Sequence, residues 1–208
     1  PAYIFSGSCN AKLVGATIRE FLQDPQAFAK AQIAAYERYK PDIMIMMWDL
    51  SMDIEAMGNE LRYPEDGLSV VTKKFLDDKG KLGSLKVPDP HKDGRLPGYL
   101  DACVETKKVV TEAPVSAVIA GPWTIAMGLR GATNLIIDSK KDPNYVHELM
   151  RICTEATRKF TEALAEAGIG IGYSEAPASC DLISPGMYRD FVFPYHKELI
   201  TYFNEKKV

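Results

Sequence analysis

The chain has 208 residues, 46% of them hydrophobic, and a formal net charge of -3, enough apolar content for one sizeable core or two small ones. Its basic residues are scattered, so nothing electrostatic points to a nucleic-acid partner. The longest strongly apolar run, Ile43 to Trp48, is far too short to span a bilayer, and the four cysteines at 9, 103, 153 and 180 make no CxxC pair. That cysteine usage suits a reducing compartment, and no basic-then-apolar leader follows Pro1; the expected location is the cytoplasm.

The first predicted element is an amphipathic helix in QDPQAFAKAQIAAYERYKPD. Asp24 is its N-cap, Pro25 its first residue, and Phe28, Ala31, Ala35 and Tyr39 recur at helical spacing. IMIMMW follows at once, too short and too apolar for a surface helix, and reads as a strand buried on both faces that ends at Asp49. A weaker strand is expected in GSLKVPD, before Pro88. The helical stretch GYLDACVETKKVVTE leads into a third strand, Ala113 to Gly121, which ends at GPWT. Asp142 then caps and Pro143 opens a long helix whose apolar stripe is Val146, Leu149, Cys153, Ala156, Phe160 and Leu164, closed by Gly168. A short strand, IGIGYSE, ends at Glu175, and Ser184 with Pro185 opens a further helix.

Helices alternating with short buried strands imply parallel pairing through right-handed crossovers, hence a layered α/β fold or a barrel. In both, ligands bind at the carboxyl ends of the strands. Asp49, Glu175 and the GPWT turn all fall there, so Asp49 and Glu175 are expected to face one cavity with Trp123 close by. The competing reading is that each carboxylate only caps the next helix. Asp49 stands beside Trp48 with no helix-opening proline after it, which leaves the two readings level.

Four blocks, MMWDLSMDIEAMGNELRYPEDG, VIAGPWTIAMGLRG, DPNYVHELMRICTEA and DLISPGMYRDFVFPYHKELI, together resemble the uroporphyrinogen decarboxylase superfamily over nearly the whole chain. That superfamily holds the decarboxylase and the zinc-dependent, corrinoid-linked methyltransferases. The resemblance implies a TIM (βα)8 barrel of roughly 250 residues or more. Residues 1–208 are then a single domain that supplies about the N-terminal half and stops before the fifth barrel strand.

The two branches need different residues. The decarboxylase resemblance implies a central Asp at the end of the first strand, matched by Asp49, and an N-terminal arginine pair that binds the many substrate carboxylates. That pair is absent: the opening SGSCNAKLVGATIREFLQ offers only Lys12 and Arg19. EAMG and YSEAPAS look more like the methyltransferase branch, which implies a zinc site of His-x-Cys type and a corrinoid carried by a partner protein. None of His91, His147 and His196 has a cysteine two residues on. His147 and His196 lie within helical patterns and read as surface or packing residues, while His91 lies on a loop; the family's His-x-Cys strand would begin where the chain stops, at Val208.

The expectations are therefore these. Asp49 and Glu175 are the catalytic candidates, and Trp48, Glu55, Trp123 and Tyr173 the substrate-binding ones. Glu175 and Cys180 are the residues best placed to approach a metal, with the main zinc ligands beyond Val208; for Cys180 the alternative is a small apolar filler. The expected activity moves a methyl group between a corrinoid and a thiol or folate acceptor. The partners are a corrinoid protein, a small methyl donor or acceptor, and a second chain or the remaining half of the barrel. The alternatives are uroporphyrinogen decarboxylase and a non-catalytic half-barrel that binds a partner chain.

Overall fold

The computed structural model describes Ala2 and Gly7 to Lys206, so Val208, where the next strand is expected, lies outside the described residues. A 3-10 turn, Ser8–Val14, precedes α1 (Ile18–Gln23) and α2 (Pro25–Tyr39). The Asp24 carboxylate accepts the Gln26 amide at 2.8 Å and caps α2 as its sequence position predicts. Phe28, Ala31 and Ala35 are buried, but the last turn of the stripe is corrected: Tyr39 is exposed and Tyr36 faces the core.

The chain then forms β1 (Met44–Met46), the short helix α3 (Met52–Ala56), an antiparallel hairpin of β2 (Glu60–Arg62) and β3 (Val70–Lys73), and α4 (Leu96–Val109). After these come β4 (Val115–Ala120), α5 (Pro122–Arg130), α6 (Ala132–Lys141), α7 (Pro143–Glu166) and β5 (Gly170–Ser174). One helical rod closes the described chain, from α8 (Pro185–Met187) through a wider π-type turn to α9 (Phe193–Lys206). Pro194 has no N–H to return to the preceding turn, which accounts for the widened register there.

β1, β4 and β5 make a parallel sheet in that order, with Met44 opposite Val115 and Ala120 opposite Ser174. Each connection is a crossover that includes helices, α3 and α4 with the β2–β3 hairpin between β1 and β4, and α5 to α7 between β4 and β5, as parallel pairing requires. The strand expected in GSLKVPD does not form: Lys79–Ser84 is a 3-10 helix and residues 85–89 have no regular structure, Pro88 having no amide to give a ladder. Three parallel strands, not four, stand among the described residues.

Met44, Met46, Val115, Ala117 and Ile119 turn one sheet face onto α2, α4 and α7, where Phe160 and Leu164 meet them. Phe28 stacks on Trp48 and Trp48 on Tyr99, with centroids 5.1 and 6.1 Å apart. The Tyr99 hydroxyl donates to the Met46 carbonyl at 2.6 Å and accepts the Val118 amide at 3.2 Å, fastening β1 to β4. A second cluster packs α5, α6 and α7 over residues 75–87, and the α7 stripe from Val146 to Leu164 is buried as its spacing predicts. None of the helices formed by the described residues is long and apolar enough to cross a membrane.

Candidate functional site

Asp49 follows β1 and sits at the centre of a charged network. Both of its carboxylate oxygens lie 3.1 Å from Arg95 Nη2; Oδ1 also accepts the Ser51 amide at 3.0 Å and Oδ2 the Ser69 hydroxyl at 3.1 Å. Arg95 stands at the start of α4 and carries the rest of the arrangement. Its Nε donates to Glu55 at 2.6 Å, Nη1 to the Leu22 carbonyl at 2.9 Å and Nη2 to the Ser51 hydroxyl at 3.2 Å. The guanidinium lies over the Trp48 ring at 5.2 Å and the Tyr63 ring at 5.1 Å, so its flat faces are covered while its edge is paired. Tyr63 donates its hydroxyl to the other oxygen of Glu55 at 2.7 Å, and burial together with that bond raises its own pKa.

Gly94 makes the approach of Arg95 possible. Its φ is +54°, and a Cβ there would lie 3.2 Å from the Ala56 Cα and Cβ. Asp53, on the same α3 helix, is 1% exposed, and its Oδ2 has no hydrogen-bond partner. Burial pushes its carboxyl up to about 7; its own backbone amide opposes the rise, Asp49 adds to it and Arg95 opposes it.

Glu175 lies at the carboxyl end of β5, the same edge of the parallel sheet as Asp49, with the end of β4 between them. Its oxygens accept the amides of Trp123 at 3.0 Å and Thr124 at 2.8 Å and the Thr124 hydroxyl at 2.6 Å, so the carboxylate caps the positive end of α5. His196, from α9, comes within 2.9 Å of Oε1 through Nε2. With Glu175 acting only as acceptor, that nitrogen carries the hydrogen. GPWT is thereby explained residue by residue: Gly121 leaves room for Glu175, Pro122 starts the helix, Trp123 enters the core, and Thr124 binds both the carboxylate and the Ser174 carbonyl at 3.0 Å.

The other expected residues are dispersed. Trp48 is the buried floor beneath Arg95, with its indole N–H given to the Phe21 carbonyl. Trp123 is fully buried in the second cluster. Tyr173 bonds Thr161 of α7 at 2.8 Å and so faces the helical layer, because odd positions of β5 point that way. Cys180 is exposed and lines an open cavity of about 630 Å³ with Ile183, Tyr188, Arg189 and Phe193. Among the described residues no group of three His, Cys, Asp or Glu side chains is placed to hold a metal. Glu175 has its oxygens committed to α5 and His196, so zinc does not fit the described residues. Sequence reasoning missed Arg95, Tyr63, Ser51, Ser69, Asp53 and the Glu175–His196 pair. The one available signal was an arginine next to the helix start in GRLPG.

Fold and site together define an α/β protein with a parallel sheet and a polar, arginine-centred cluster at the carboxyl end of its first strand. The chain belongs to the uroporphyrinogen decarboxylase family, whose model matches residues 6–208. It is 28% identical over 181 residues to a methylcobamide:CoM methyltransferase of Methanosarcina barkeri, an alignment that takes in 86% of this chain and 53% of that protein. It is 25% identical over 188 residues to a uroporphyrinogen decarboxylase of Thermodesulfovibrio yellowstonii, with 85% and 52% covered. A solved methyltransferase from Methanosarcina mazei matches 94% of this chain and 59% of its own at 26% identity, with a TM-score of 0.86. The chain spans about half the length of the curated relatives it matches.

Proposed function

We propose that the protein is a methyltransferase of this family, moving a methyl group between a corrinoid, carried by a partner protein, and a thiol or folate acceptor. The observation that carries the reading is the agreement with the Methanosarcina mazei methyltransferase over 94% of the chain. Site chemistry supports the choice over decarboxylation. A porphyrinogen with many carboxylates needs unpaired cations, yet the guanidinium beside Asp49 is already bound to Asp49 and Glu55, with a third acid, Asp53, near it.

In this reading the described residues form part of a barrel wall whose remainder comes from elsewhere in the protein or from a second chain. The zinc ligands lie outside them. Asp49 is the residue proposed to meet the substrate: Arg95, Ser51 and Ser69 hold its carboxylate in one orientation, and a substrate donor would take the place of one of these four hydrogen bonds. Glu55 is held for the same purpose by Arg95 and Tyr63. Glu175 acts by position, binding the ends of β4 and β5 and the start of α9 into one rim.

The test uses the full-length gene product, loaded with zinc and given methylcobalamin and a small thiol, and in parallel uroporphyrinogen. The expected result is thioether formation with no release of carbon dioxide. Carbon dioxide from uroporphyrinogen would replace this reading by the decarboxylase, and inactivity in both assays would favour a non-catalytic binding role.

A further inference from the structure

Asp53 stands apart from the other acids of the site. Asp49 and Glu55 are each paired with Arg95, whereas no hydrogen bond or ion pair joins Arg95 to Asp53. Its Oδ2 is buried and has no partner in a region where an ionised carboxylate would lack solvent. Burial and Asp49 disfavour its ionised form, while its own backbone amide and Arg95 oppose them. The charged and titratable groups that act on it electrostatically are Asp49 after β1, Arg95 just before α4, Tyr99 within α4 and Cys153 of α7, and Glu55 shares its helix. Burial raises the pKa of both the Tyr99 phenol and the Cys153 thiol, so both stay neutral. The single guanidinium therefore already faces two carboxylates, and an ionised Asp53 would be a third.

We propose that Asp53 is a positioning residue of this site: a buried, unpartnered carboxyl beside the Arg95–Asp49 pair that carries a proton on the acid side of neutrality and, on releasing it to solvent, loosens that pair. The reaction at Asp53 is one O–H bond broken, with the proton leaving to water and the electron pair staying on the carboxylate. The new charge repels Asp49 and competes for Arg95, shifting the guanidinium that lies over Trp48. The functional meaning of the shift rests on the methyltransferase reading; the shift itself does not, and its test requires no turnover.

The experiment is infrared and fluorescence titration of the full-length protein carrying isotope-labelled aspartate. The expected result is a protonated-carboxyl band that disappears as the pH rises through about 7, absent from D53N. A step in Trp48 emission should accompany it, lost in D53N and in Trp48→Phe and displaced in D53E. A merely structural Asp53 would give no such linked spectroscopic step. The proposal is overturned if the labelled spectra show Asp53 ionised well below that pH, or if the band titrates while Trp48 emission stays flat. Should D53N not fold, the wild-type labelled spectra and D53E decide the same two points. Failure of the methyl-transfer assay alone leaves both spectroscopic outcomes standing, so the two ideas fail separately.

Discussion

Glu175 occupies the space that a side chain on Gly121 would need: a Cβ there would stand 2.4 Å from Glu175 Oε1 and 2.5 Å from its Cδ. The two residues directly follow β4 and β5, and the Glu175 carboxylate also holds the first amides of α5. Gly121→Ala should thus push the carboxylate off α5. The backbone at Gly121 has an ordinary φ of -80°, so the cost is steric rather than conformational. The expected loss is about 1–3 kcal/mol, the range for forcing a methyl group into a filled site, read by denaturant unfolding. Glu175→Ala in the same background should recover part of it; unchanged stability of the single variant would mean that Glu175 is not seated there.

Arg95 and Asp49 should differ sharply when each is removed. Arg95→Ala leaves Asp49 and Glu55 without their cation at side-chain exposures of 9% and 24%, an arrangement expected to cost about 3–5 kcal/mol. Asp49→Ala leaves Arg95 bound to Glu55 and the Leu22 carbonyl, so the loss should be nearer 1–3 kcal/mol. The fold should survive Asp49→Ala while methyl transfer in the complete protein is abolished. Equal losses of stability in the two variants would remove Arg95 from the centre of the network.

The thiols divide into two classes. Cys103 and Cys153 are fully buried, and burial raises both their pKa values; Cys9 and Cys180 are exposed. Alkylation of the native chain followed by peptide mass mapping should mark Cys9 and Cys180 first, with Cys103 and Cys153 reacting only in denaturant. Early labelling of Cys153 would contradict the packing of α7 against the sheet.

What the sequence reveals here is local. Asp24 with Pro25, Asp142 with Pro143, and Gly168 at φ +67° mark helix ends because each acts on its own neighbouring backbone. The runs ending at Asp49 and Gly121 are legible because strands covered by helices must be apolar. Placing Asp49 and Glu175 on one edge follows from parallel pairing, which the alternation of helices and strands implies. The pairing of Arg95 with Asp49 is not legible: GRLPG marks an arginine at a helix start, but 46 residues separate it from Asp49 and no periodicity couples them. His196 reads as a helix-surface residue because its partner, Glu175, belongs to another element. The hairpin of β2 and β3 is short and largely exposed, so it carries no apolar alternation to announce it. Leu85 and Val87 imitate a strand because both pack under α5 and α7 without pairing.

The pH dependence of stability should carry the signature of Asp53. Its carboxyl moves from an ordinary 3.8 to about 7 in the folded protein, so between those values the folded state holds a proton that the unfolded state has released. Stability falls with rising pH wherever the folded state binds more protons. The contribution of Asp53 is therefore fully present below about 4, declines through the interval and is gone above about 7. Asp53→Asn cannot titrate, and the cost of burying its amide does not change with pH. Subtracting the two melting curves cancels the titration of the remaining groups to first order. The melting temperature of Asp53→Asn minus that of the wild type should accordingly rise steadily across that window and level off above it. A difference that stays flat, or that narrows as the pH rises, would show that Asp53 is already ionised in the folded protein.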